Sequence, residues 1–107
     1  MREVTDQKLD ESFDVTERAL AKVKIGSERP LDWQAAANDF LRMAKSYISD
    51  ARYFRKQGDM VRAFGSIYYA HAWLDAGARL GFFDVDGDST LFTVDKEMFE
   101  DRGPDNE

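Results

Sequence analysis

The chain has 107 residues, no cysteine and a formal net charge of −6. That length fits one domain, which buries roughly two thirds of its unfolded surface. Without cysteine there are no disulfides, thiolate metal sites or cysteine nucleophiles, and a reducing cytoplasm suits the composition.

The acidity is unevenly placed. Residues 1–30 carry −1, residues 31–81 carry +2 and residues 82–107 carry −7. Nucleic acid is therefore an unlikely partner for the chain as a whole. The N-terminal stretch MREVTDQKLDESFD is charged throughout, which is not the pattern of a signal peptide. No later run approaches the ~18 apolar residues of a membrane span. A cytoplasmic protein without a membrane anchor is expected.

Taken in chain order, the periodicity predicts an all-α fold of three helices in a single domain, residues 1–107. The first helix is expected over about 5–24, with Leu9, Phe13, Thr16, Leu20 and Val23 on one thin apolar stripe and Gly26 as its stop. The second is expected over 32–57. Asp32 is placed to cap it, and Trp33, Ala37, Phe40, Ala44, Tyr47, Ala51 and Phe54 form its buried face. Gly58 ends that helix and Asp59 caps a third over 60–80, which Gly81 stops. Short connections make neighbours antiparallel, so the expected architecture is an up-and-down three-helix bundle. It is followed by an acidic tail over 82–107, extended or partly helical.

The third helix is apolar on more than one side. Phe64, Ile67, Tyr68, His71, Leu74, Asp75 and Ala78 fall within about 100° of arc, at ~100° per residue. Tyr69, Ala72, Trp73, Ala76 and Leu80 cover most of the opposite side. Something must cover Trp73. The chain's own continuation through Phe82, Phe83, Val85, Leu91, Phe92 and Val94 is the first candidate, and a homodimer through Tyr69 and Trp73 is the second.

His71 is the only histidine, and Asp75 lies one helical turn further on. In a core each would need a partner, and each can supply the other's. With Tyr68 one turn before and Arg79 one turn after, they form a candidate polar core or ligand site: an oriented general base, the start of a metal site, or a structural pair that fixes helix register. The sequence supplies no nucleophile, further ligand or cofactor motif around them, so no catalytic residue, metal ligand set or cofactor is assigned.

Three other patterns have everyday explanations. Asp84, Asp86, Asp88, Thr90 and Asp95 fall on calcium-loop positions, but Ser89 stands where that loop needs Gly, so an acidic turn is the better reading. Arg42, Lys45, Arg52, Arg55 and Lys56 form a basic strip on the second helix, and the acidic tail offers it counter-charge. Tyr47, Ala51, Phe54, Gly58, Ala63, Ile67 and Ala70 follow the packing pattern of a tetratricopeptide-like hairpin, in a single copy. Inside the third helix Gly77 costs ~1 kcal/mol relative to Ala, which suggests close approach of another backbone, such as the returning tail.

The stretch Ala44 to Val85, and above all GDMVRAF followed by YAHAWLDAGARLG, resembles the small archaeal proteins grouped as domain of unknown function 357. The resemblance covers about 70 residues from the second helix into the tail, while the first 30 match no family. It implies an archaeal source and a closed, left-handed three-helix bundle. It places His71, Asp75, Gly77, Arg79 and Gly81 in the family's motif segment and brings no activity.

The expected function is a small non-enzymatic interaction or adaptor domain with an unidentified protein partner or self-association, through a surface of Tyr69, Trp73, Leu80 and Phe82. The alternative is a small-ligand or metal site around Tyr68, His71 and Asp75.

Overall fold

A computed structural model describes residues 3–93. It is all-α, with three helices and, among the described residues, no strand: α1 (Asp6–Lys22), α2 (Trp33–Lys56) and α3 (Met60–Leu80). The part of the expected tail beyond Thr93, including Val94 and Asp95, lies outside the described residues.

The helix ends follow from local chemistry. Side chains of Thr5, Asp32 and Asp59 accept the backbone N–H of Lys8, Ala35 and Arg62, each satisfying a first-turn donor that has no partner within its helix. Between α2 and α3, Gly58 takes a left-handed φ of 79°. The Gly58 N–H then donates to Arg55 O at 3.0 Å, and the Asp59 N–H to Phe54 O at 2.9 Å. This pair of bonds is a Schellman motif, and it turns the chain directly into the Asp59 cap. Gly81 repeats the device at the end of α3, with φ 90° and the Phe82 N–H bonded to Gly77 O at 2.8 Å. α1 ends differently. It leaves helical geometry at Val23, with φ −71° and ψ 138°, so Gly26 is not its stop.

α2 and α3 pack closely as an antiparallel hairpin. The most buried side chains are Ala44, Ala51, Ala70 and Ala78, joined by Gly77. Small residues at the crossing let the two backbones approach, and larger rings flank the contact as the hairpin pattern in the sequence anticipates. On α2 the expected face is the observed one, except that Trp33 at its start remains 52% exposed.

On α3 the contact face differs from the expected arc. Phe64, Ile67 and Tyr68 are exposed, and of that arc only Ala78 is buried. The buried residues of α3 are small ones, Ala70, Gly77 and Ala78, and its rings Tyr69 and Trp73 meet Tyr47 and Phe40 of α2. A helix apolar on two sides has no single preferred face, so its hydrophobic pattern alone does not choose the side that is covered.

α1 is formed and capped, yet every one of its residues is exposed, including Phe13 at 58% and Leu20 at 72%. The close packing of this all-α fold is that of α2 with α3.

Candidate functional site

After Gly81 the chain turns back along α3, and its first contact explains Gly77. A Cβ added at Gly77 would stand 2.2 Å from Cε2 of Phe83, so the ring occupies the space that any side chain would need. Phe82 goes the other way, its ring edge-on to Trp33 at 4.6 Å and to Phe40 at 5.1 Å.

The turn that follows consumes the acidic cluster. Asp84 accepts the Asp86 N–H at 3.1 Å. Asp88 accepts the N–H groups of Thr90 at 2.8 Å and Leu91 at 3.0 Å. Asp86 and Gly87 both have positive φ, 57° and 66°. These are the local side-chain to backbone bonds by which Asp builds turns, as expected of an acidic turn.

Beyond the turn, residues 91–93 lie against the polar positions of α3. His71 Nε2 donates to Leu91 O at 2.8 Å. Because a carbonyl can only accept, this ring nitrogen carries the proton. Asp75 takes two bonds from one residue: Oδ1 accepts the Thr93 N–H at 3.0 Å, and Oδ2 accepts the Thr93 hydroxyl at 3.1 Å. Arg79 reaches Thr93 O at 3.5 Å. The Phe92 ring is stacked over His71, centroids 6.2 Å apart and planes 25° apart. Three side chains at successive turns of α3 thus hold the backbone of one returning strap.

The residues singled out in the sequence are therefore partly brought together. His71, Asp75 and Arg79 share a site, but His71 and Asp75 stand 3.7 Å apart, too far for a hydrogen bond and close enough for an ion pair when the ring is protonated. They are not in a core, since their side chains are 47% and 26% exposed. Tyr68 turns to Phe64, with centroids 4.6 Å apart, and no hydrogen bond among the described residues joins it to His71 or Asp75. Among the described residues no three His, Cys, Asp or Glu side chains gather closely enough to hold a metal ion.

The candidate interaction surface has a different geometry. Trp73 is half-buried, and its cover is Phe40 of α2 at 4.9 Å, edge to face. The returning strap passes on the His71 side instead of over Trp73. Phe82, Phe40, Trp73 and Tyr69 form one continuous run of rings, with Trp33 at one end and Tyr47 at the other. Tyr69 packs on Tyr47 at 4.5 Å yet stays 50% exposed, as does Leu80. Phe40, Tyr69, Ala72, Trp73 and Ala76 line a shallow groove of about 250 Å³ beside it.

Sequence reasoning missed Leu91 and Thr93 as partners of the polar residues, and Trp33 and Phe40 as parts of the aromatic run. Periodicity placed Trp33 and Phe40 on the buried face of α2; only their tertiary positions connect them to Trp73 and Phe82. The basic strip is partly engaged nearby, Arg42 pairing with Asp39 one turn away.

The model of the family described as Protein of unknown function (DUF357) matches residues 13–83. The match begins within α1, at Phe13, and ends at Phe83, so the second half of α1 belongs to the shared region although its sequence suggested no family. No curated protein and no solved structure matches the chain.

Proposed function

The chain belongs to the DUF357 family, and on that premise we propose that it is a small, non-enzymatic interaction domain, offering the aromatic side of its hairpin to a protein partner in the cytoplasm. The observation that carries this reading is the run of rings from Trp33 through Phe82, Phe40, Trp73 and Tyr69 to Tyr47, left half-exposed along one side of α2 and α3. Tyr and Trp dominate the centres of protein interfaces because they bring large apolar area with few rotors to immobilise. Rings already held edge to face are pre-organised, so less ordering accompanies binding.

The polar site supports the same division of labour. His71 Nε2 and both oxygens of Asp75 are engaged by the chain's own strap, which gives them a structural task. A small ligand or metal around Tyr68, His71 and Asp75, the second reading, would have to displace Thr93 and draw Tyr68 away from Phe64. A cytoplasmic setting fits a chain without cysteine in which no described helix is long and apolar enough to cross a membrane.

A photo-crosslinking residue placed at Tyr69, and separately at Tyr68, tests the reading in cells of the source organism. One discrete protein crosslinked from position 69 and not from 68 is the expected result. Equal labelling from both positions, or none from 69, would overturn it.

A further inference from the structure

Among the described residues, Asp86 is the one non-glycine residue in the left-handed region, with φ 57°, and Gly87 follows it at 66°. The Asp88 N–H donates to Val85 O at 3.0 Å across this pair, which is the pattern of a type I′ turn. The three aspartates around the turn are not chemically equivalent. Asp84 and Asp88 have carboxylates engaged by backbone N–H groups, and they precede Val85 and Ser89. Asp86 and Gly87 are exposed, and among the described residues neither the Asp86 carboxylate nor the Gly87 N–H has a hydrogen-bond partner. Nothing lies within 4 Å of the place a Gly87 Cβ would take. A free carboxyl followed by glycine lets the next main-chain nitrogen reach the side chain, because glycine puts no Cβ in the way and its backbone follows the ring that forms.

We propose that Asp86 is a site of spontaneous isomerisation to isoaspartate, and that the change unlatches the strap from α3. The Gly87 nitrogen bonds to Asp86 Cγ, while its proton and the carboxyl hydroxyl leave as water and a five-membered imide closes. Water then adds to one of the two ring carbonyls. Addition at Cγ restores aspartate. Addition at the former main-chain carbonyl leaves that carbon as a free carboxylate and the chain running through Cβ and Cγ, one backbone carbon longer. Water is the only co-reactant, and nothing is oxidised or reduced. One backbone bond, from the Asp88 N–H to Val85 O, opposes the opening of the turn that ring closure needs. The same bond spans the altered linkage, and Asp88 in turn holds the N–H groups of Thr90 and Leu91. An extra carbon at position 86 therefore shifts the register of the strap, and Leu91 O and Thr93 leave their places on His71 and Asp75.

The full-length chain, folded and held for weeks at neutral pH, provides the test. Trypsin cuts after Arg79 and Lys96, so Asp84, Asp86 and Asp88 are released in one peptide, and electron-transfer fragmentation locates isoaspartate by cleavage of its Cα–Cβ bond. Isoaspartate at position 86 is expected at least tenfold above positions 84 and 88. Gly87→Ala should lower it several-fold, and Asp86→Asn, which loses ammonia in place of water, should reach the same product faster. The isomerised chain, separated by ion exchange, should exchange its Thr93 amide at least tenfold faster than the parent. The proposal is overturned if position 86 stays unmodified, if positions 84 or 88 isomerise as much, or if the isomerised chain protects Thr93 as the parent does. The aromatic run takes no part in this chemistry, so this outcome and that of the partner test are independent.

Discussion

Asp75 holds Thr93, eighteen residues further on, by two hydrogen bonds at once, to its backbone N–H at 3.0 Å and to its hydroxyl at 3.1 Å. A carboxylate accepting two donors from one residue fixes both the position and the direction of the chain there. Asp75→Ala should therefore release the strap without unfolding the hairpin. Amide exchange at Thr93 is the readout, and local protection should fall by about 1.5–3 kcal/mol, the scale of hydrogen bonds to a charged group. Thr93→Val, which keeps the backbone bond, should lose less. Unchanged protection in Asp75→Ala would show that the strap is held by other contacts.

Gly77→Ala sets two effects against each other. Ala is the better helix former by about 1 kcal/mol, yet its Cβ would stand 2.2 Å from the Phe83 ring. Overpacking of this kind costs about 1–3 kcal/mol, and a ring hinged at a backbone pinned to Gly77 O has limited room to retreat. Urea denaturation should show a net loss of about 1–2 kcal/mol, and adding Phe83→Ala should make the Gly77→Ala change neutral or favourable. A gain in stability from Gly77→Ala alone would contradict the contact.

Much of this was legible in the sequence, and the remainder has a physical reason. Asp32, the Gly58 and Asp59 pair and Gly81 mark helix ends because capping is local chemistry, and the structure places caps at all of them. Which side of α3 meets α2 was not legible. Both of its sides are apolar, and the residues buried on it, Ala70, Gly77 and Ala78, are small ones that carry little weight in a hydrophobic pattern. His71 and Asp75 stand out as polar residues on an apolar helix, but their partners at Leu91 and Thr93 are mainly backbone atoms, which every residue possesses. The exposure of the α1 stripe was equally hidden, since a stripe shows that a helix can pack and not where.

The hairpin turn should be acid-sensitive. The Asp59 carboxyl sits below the usual carboxylate range because it accepts the Arg62 backbone N–H, with the nearby Arg62 guanidinium adding to the effect. With the folded value below the unfolded one, the folded chain binds fewer protons in the interval between them. The cap's contribution is thus complete above the ordinary carboxylate value of about 4 and is lost as pH falls through the lowered value. Stability measured from pH 6 down to pH 2 should decline less steeply below pH 4 in Asp59→Asn than in the parent. Parallel declines would remove Asp59 from the account.

The bond from His71 to Leu91 O specifies a tautomer. In the neutral ring the proton belongs on Nε2, and nitrogen-15 spectra of the lone imidazole at high pH should show it there. Asp75→Ala, by loosening Thr93, should shift the balance toward a mixture of tautomers. A neutral ring protonated on Nδ1 in the parent would contradict the geometry.

The claim that the aromatic side of the hairpin is a protein-docking surface is tested most directly by binding. The crosslinked partner is purified and titrated calorimetrically against the parent chain and against Tyr69→Glu, after circular dichroism has shown both to be equally helical. The account predicts a saturable complex of fixed stoichiometry with the parent, weakened at least tenfold by Tyr69→Glu. The same affinity for both chains, or no saturable binding to the parent, would contradict it.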